Sequence, residues 1–136
     1  MSAPTVRPDK GPAVVTSPTI ADAQLAVQIM AAGTAAGADQ GFGMLFARSK
    51  PPTLAKLRKE HPQSSEEYRQ VMAFLAQYET IATFVKQGIL NETLVNDLFW
   101  VAGAWNLAAQ ICRDIREEAA EPRLYENFEW LVTRAS

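Results

Sequence analysis

A chain of 136 residues with 48% hydrophobic and 21% charged residues is long enough for one domain with a real core, and its composition is neither disordered nor membrane-like. A net charge of −2 argues against a dedicated nucleic-acid binder, so no specific nucleic acid is expected as a partner. One cysteine, Cys112, and one histidine, His61, exclude an intramolecular disulfide and a Cys/His metal site within one chain; no metal or cofactor is expected.

Residues 1–18 hold Pro4, Pro8, Pro12 and Pro18 and read as a flexible tail. Charges interrupt this segment and it has no apolar core of the secretory kind, so a cytoplasmic protein is expected. Residues 19–136 are assigned to a single helical-bundle domain. Thr19 or Ser17 can cap a first helix running to about Ala32, with Asp22 in its first turn. Its apolar residues Ile20, Ala23, Val27 and Met30 recur at helical spacing, and Leu25 and Ile29 widen the stripe. Gly33, Gly37 and Gly41 follow at four-residue intervals. They read either as a helix break or as a small-residue groove that lets another helix approach closely. Phe42, Met44, Leu45 and Phe46 resume the apolar pattern until Pro51-Pro52 ends it.

Thr53–Glu60 predicts a short helix. Ser64 with Glu67 three residues on predicts a capping box for a long helix reaching Gln87, with Gly88 as its stop. Tyr68, Val71, Phe74, Leu75, Tyr78, Ile81 and Val85 form its core face. Asn91 caps the next predicted helix, which continues to about Ala120, and Pro122 opens the last, with Phe128 and Leu131 in its buried stripe. No segment alternates with period two, so a sheet is not expected. The fold class is therefore all-α: a bundle of about five helices, two of them long, behind a proline-rich tail.

The predicted helix 91–120 carries an uncharged stretch, Leu98–Cys112, too short to span a bilayer. On a continuous helix, Leu94, Leu98, Val101, Trp105, Ala108, Cys112 and Ile115 make a core stripe. Trp100, Ala104, Leu107 and Ile111 make a second one. A helix apolar nearly all round is either the central helix of the bundle or half of a subunit interface, with Trp100 as anchor and a two-fold dimer as the default. Both readings stay open.

Other candidates are sparser. Tyr78, Glu79, Trp105 and Phe128 could line an apolar pocket between helices, although a carboxylate such as Glu79 more commonly pairs across a helix contact with an arginine such as Arg113 or Arg123. Arg48, Lys50, Lys56, Arg58 and Lys59 cluster and could touch an anionic surface. No nucleophile–base grouping, Glu-x-x-His pair or phosphate loop is present, so no catalytic residue is named.

Tyr78-Glu79-Thr80-Ile81, Gly88 to Val95 and Pro122 to Glu129 together resemble a bacterial family of uncharacterised helical domains. Its members carry a YE-x-I, G-x-[I/L]-[D/N]-E-x-L-V and Y-x-x-F-E succession, often behind a transmembrane segment that this sequence lacks. The resemblance implies a helical fold over about residues 65–132 and transfers no site. The functional expectation is a non-enzymatic protein-interaction module that self-associates through helix 91–120. The alternatives are a binding protein or enzyme with an apolar pocket between helices, and an anionic-surface binder acting through residues 48–59.

Overall fold

The computed structural model describes residues 16–135. They form seven helices and no strand: α1 (Ile20–Ala36), α2 (Ala38–Phe46), α3 (Leu54–Glu60), α4 (Glu66–Lys86), α5 (Glu92–Leu98), α6 (Val101–Ala119) and α7 (Glu126–Ala135). The tail expected over residues 1–18 lies outside the described residues up to residue 15. Residues 16–18 are exposed and non-helical, with the Thr16 carbonyl accepting the Asn91 side-chain amide at 2.7 Å.

The strongest local signals hold. Thr19 and Asp22 form a reciprocal capping box at α1. The other oxygen of Asp22 accepts the Asn91 amide at 3.0 Å, which ties the start of α1 to the start of α5. Its carboxyl lies below the usual carboxylate range, first because of the Thr19 backbone hydrogen bond. Asn91 caps α5 through the Leu94 amide. Gly88, at a φ of +75°, closes the turn after α4. The cap of α4 is Ser65 rather than Ser64: its hydroxyl oxygen accepts the Tyr68 amide at 3.2 Å.

Helix α4 is the spine, with α1, α2 and α7 packed along it and α6 closing the core against α2, α3 and α7. Its predicted face is buried throughout, from Tyr68 through Val71, Phe74, Leu75, Tyr78 and Ile81 to Val85. The glycine segment turns out to be both a break and a groove. Gly37, at a φ of +86°, separates α1 from α2, while Gly33 and Gly41 are buried against α4. A β-carbon on Gly41 would lie 2.1 Å from the Gln70 carbonyl oxygen, so α2 meets the α4 backbone directly.

Three expectations change. The count of about five helices rises to seven, because the glycine segment separates two helices and the expected helix 91–120 is interrupted between Leu98 and Val101. The last helix starts at Glu126 instead of Pro122, since Ala120 and Tyr125 adopt left-handed backbone conformations at φ 51° and 59°. Arg116 braces that turn, donating to the carbonyls of Leu124 at 2.7 Å and Tyr125 at 3.2 Å and pairing with Glu129 at 2.8 Å. Finally, α1 is rotated from its expected face. Ala26, Ile29 and Gly33 are buried, whereas Ile20, Ala23, Val27 and Met30 face outward.

Candidate functional site

The interruption at Phe99–Trp100 organises the most unusual surface of the molecule. Leu98-Phe99-Trp100-Val101 places four bulky apolar residues in succession, and one helical face cannot bury them all. The chain instead extends at Phe99 (φ −123°, ψ 139°) and closes a tight turn at Trp100 (φ −84°, ψ 72°), where the Val101 amide donates to the Phe99 carbonyl at 3.0 Å. This sends Phe99 inward, edge-on to Tyr78 at 6.1 Å, and leaves Trp100 as the first cap of α6.

The indole of Trp100 folds back over Gly103. A β-carbon there would fall 2.0–2.4 Å from three ring atoms, so only glycine leaves space for this side-chain position. On its other side the indole meets Phe42 at 6.4 Å and Phe46 at 6.0 Å, both edge-on. Those two rings stack on each other at 5.6 Å, one turn apart on α2. Although it touches three residues, Trp100 is 58% exposed, and Phe46 is 57% exposed.

Between Trp100, Leu98 and Met30 runs a groove of about 390 Å³, with Phe74, Tyr78 and Phe99 beneath it. Its lining includes one carboxylate, Asp39, and no basic residue. Met30 joins the groove to the outward stripe of α1, where Val27 is 62% exposed. Apolar surface therefore continues from the groove along α1.

The predicted interface stripe is divided by this geometry. Trp100 is exposed and Leu107 half-buried, but Ala104 and Ile111 are fully buried within the chain and cannot meet a second molecule. Ala104, Leu107 and Ile111 lie on the unbroken α6, which packs against α2, α3 and α7, and only Trp100, at the non-helical cap, leaves that face. Residues that the projection missed, Met30, Phe42, Phe46 and Leu98, join Trp100 instead. The signals available for them were the run of bulky residues at 98–101 and Gly103 one turn beyond.

The predicted pocket at Tyr78, Glu79, Trp105 and Phe128 is occupied by its own side chains. Tyr78 stacks on Phe128 at 5.2 Å and Trp105 meets Phe128 edge-on at 5.0 Å, with Phe128 fully buried. Burial pushes the Tyr78 hydroxyl up to about 12, with Asp39 adding to the effect. Glu79 takes no arginine: its carboxylate accepts the Phe128 amide at 2.9 Å, serving an otherwise unpaired donor in the first turn of α7. Arg123 pairs with Glu126 instead.

Desolvation raises the Glu79 carboxyl above its ordinary value, and the hydrogen bond from Phe128 only partly opposes it. The folded state then holds this proton more tightly than the unfolded chain. The associated stability is complete below the ordinary carboxylate range and is lost as pH rises through the elevated value. Thermal melts across about pH 4 to 8 are expected to show Glu79→Gln, which keeps the acceptor, gaining on the wild type as pH rises. Glu79→Ala, which orphans the Phe128 amide, is expected to cost about 1–3 kcal/mol at the acid end of that range and less as pH rises.

The basic cluster is also divided. Arg48 pairs with Glu60 at 2.6 Å. Arg58 grips Glu118 with two nitrogens, one at 2.9 Å, and lies 5.7 Å from the centre of the Tyr68 ring. Arg48, Lys50 and Lys56 line a second groove that neither Arg58 nor Lys59 reaches. Cys112 is buried, which pushes its thiol up to about 12 and removes it from reactive chemistry. Among the described residues no group of three or more His, Cys, Asp and Glu side chains could hold a metal, and no helix is long and apolar enough to cross a membrane.

Residues 18–135 match the model of a family described as a domain of unknown function (DUF4760), and the chain belongs to that family. The match begins where the helical fold begins. No curated protein and no solved structure matches the chain.

Proposed function

We propose that this DUF4760 domain is a protein-interaction module that self-associates through the apolar surface centred on Trp100. The observation that carries the reading is the exposure of Trp100 and Phe46 beside a groove whose floor is aromatic and whose lining holds one charge. Interface cores are rich in aromatic residues and poor in charge, and tryptophan is over-represented among the residues that dominate binding energy. A soluble monomer seldom leaves such side chains contiguous and uncovered. The α1 stripe extends the same surface, so two copies related by a two-fold axis can bury identical patches against each other.

Chemistry is not part of the reading. No nucleophile–base grouping lines the groove, and burial holds the Tyr78 hydroxyl up at about 12. The free, buried Cys112 suits a reducing cytoplasm.

Size exclusion with light scattering tests the reading. The wild type is expected at twice the mass of one chain, and Leu98→Glu, at an exposed position on the groove rim, is expected to halve it. A small apolar ligand in the same groove is the second reading, favoured by a volume within the range of small-molecule sites. It predicts a single-chain mass for both proteins and uptake of an apolar dye that Leu98→Glu reduces.

A further inference from the structure

A second groove, separate from the Trp100 surface, has cations on opposing walls. Arg48 and Lys50 come from the α2–α3 connection, Lys56 from the first turn of α3 and Arg113 from the outer face of α6; together they border about 640 Å³. No acidic side chain lines this space, in a chain whose net charge is −2. Of these four cations only Arg48 has a direct carboxylate partner among the described residues. Glu60 pairs with Arg48, and the two oxygens of Asp114 accept the Leu54 amide at 3.0 Å and the Gln110 side chain at 2.9 Å.

Among the described residues, no carboxylate forms a direct ion pair with Lys50, Lys56 or Arg113, and Glu60 attracts Lys56 only at longer range. The ion pair of Arg48 leaves its Nε buried without an acceptor. Pro51-Pro52 fixes two successive φ angles in the connection that carries Lys50, so the cation wall is stiffened in place. Bringing like charges together around one concavity costs free energy in the empty state, and a bound polyanion removes that cost.

We propose that this groove binds a small molecule bearing about three or four negative charges on oxygen, an oligophosphate or a tricarboxylate. The volume suits a small ligand, and the Arg113 guanidinium offers a fork that matches phosphate and carboxylate oxygens. The recess also distinguishes this site from a flat contact with a membrane. Arg58 and Lys59, which a flat surface across α3 would recruit, do not line it.

Titration calorimetry of the whole chain at low salt, with inorganic triphosphate and with citrate as probes, tests the assignment. At least one probe is expected to bind one-to-one, and the tighter of the two identifies phosphate or carboxylate as the source of the charge. The double variant Lys56→Gln/Arg113→Gln is expected to weaken binding by about tenfold or more, while Lys59→Gln leaves it unchanged. Both substituted side chains are exposed, so melting should stay at the wild-type temperature. The proposal is overturned if neither probe binds at millimolar concentration or if Lys59→Gln weakens binding as much as the double variant. Binding only to phosphatidylserine vesicles would also overturn it.

Discussion

Gly41→Ala is expected to lower the melting temperature by roughly 10 °C, whereas Gly43→Ala, two residues along the same helix, is expected to raise it. The opposite signs follow from what each new methyl group meets. At Gly41 it would sit 2.1 Å from the Gln70 carbonyl oxygen and 2.8 Å from the Val71 nitrogen. Both are backbone atoms of α4, which cannot rotate aside as a side chain can, so α2 must lift from the spine. Overpacking of this kind costs about 3 kcal/mol, the upper end of its usual range, because two backbones rather than two side chains must separate. At Gly43 nothing lies within 4 Å, and alanine gains the ordinary helix preference of about 1 kcal/mol. Gly33→Ala should fall between them, since its obstacle is the movable end of the Gln77 side chain. Equal losses at all three positions in thermal melts would show that α2 does not approach α4 through Gly41.

Gly103→Ala is expected to weaken self-association by about tenfold or more while leaving every tryptophan in place. In an ordinary helix this substitution would stabilise. Here the methyl group would occupy the position of the indole edge, 2.0 Å from Trp100 Cε2. The ring must swing off α6 and lose its edge contacts with Phe42 and Phe46. The fold itself should tolerate the change, because Trp100 is an exposed side chain at the helix cap and not part of the buried core. The readout is a shifted tryptophan emission together with a raised dimer dissociation constant. An unchanged constant with a shifted spectrum would separate Trp100 from the interface.

Much of the fold is legible in the sequence wherever one residue has one physical job. The α4 face, the Asn91 cap and the Gly88 stop follow from amphipathic spacing, side-chain capping and left-handed backbone, and all three appear in the structure. The face of α1 was not legible because residues 23–38 contain no charge to mark a solvent side. Its orientation is decided by tertiary contact: Gly33 permits close approach to α4, and the Gln77 side chain reaches the Ile29 carbonyl at 3.4 Å. Of the two readings left open for the stripe through Ala104 and Ile111, the buried central-helix one describes these two residues, because α6 packs against α2, α3 and α7. Only Trp100 leaves that face, because its non-helical backbone at the cap (φ −84°, ψ 72°) carries the side chain off α6.

Candidate residues divide the same way. Trp100 stood out as a large aromatic on an uncharged stretch, but its neighbours Met30, Phe42 and Phe46 come from α1 and α2, more than fifty residues earlier in the chain. No local pattern could assemble them. Arg113 likewise carries no local sign of its groove, because its proximity to Lys50 and Lys56 arises when α6 packs against α3.

Sedimentation equilibrium over a concentration series tests self-association through Trp100 most directly, with Trp100→Glu compared against Ile89→Glu. Ile89 is also an exposed large apolar residue, but it lies outside the groove lining. The account predicts a dimer for the wild type and for Ile89→Glu, and a monomer for Trp100→Glu with an unchanged helical spectrum. A wild-type monomer at every concentration, or a dimer that persists in Trp100→Glu, would contradict it.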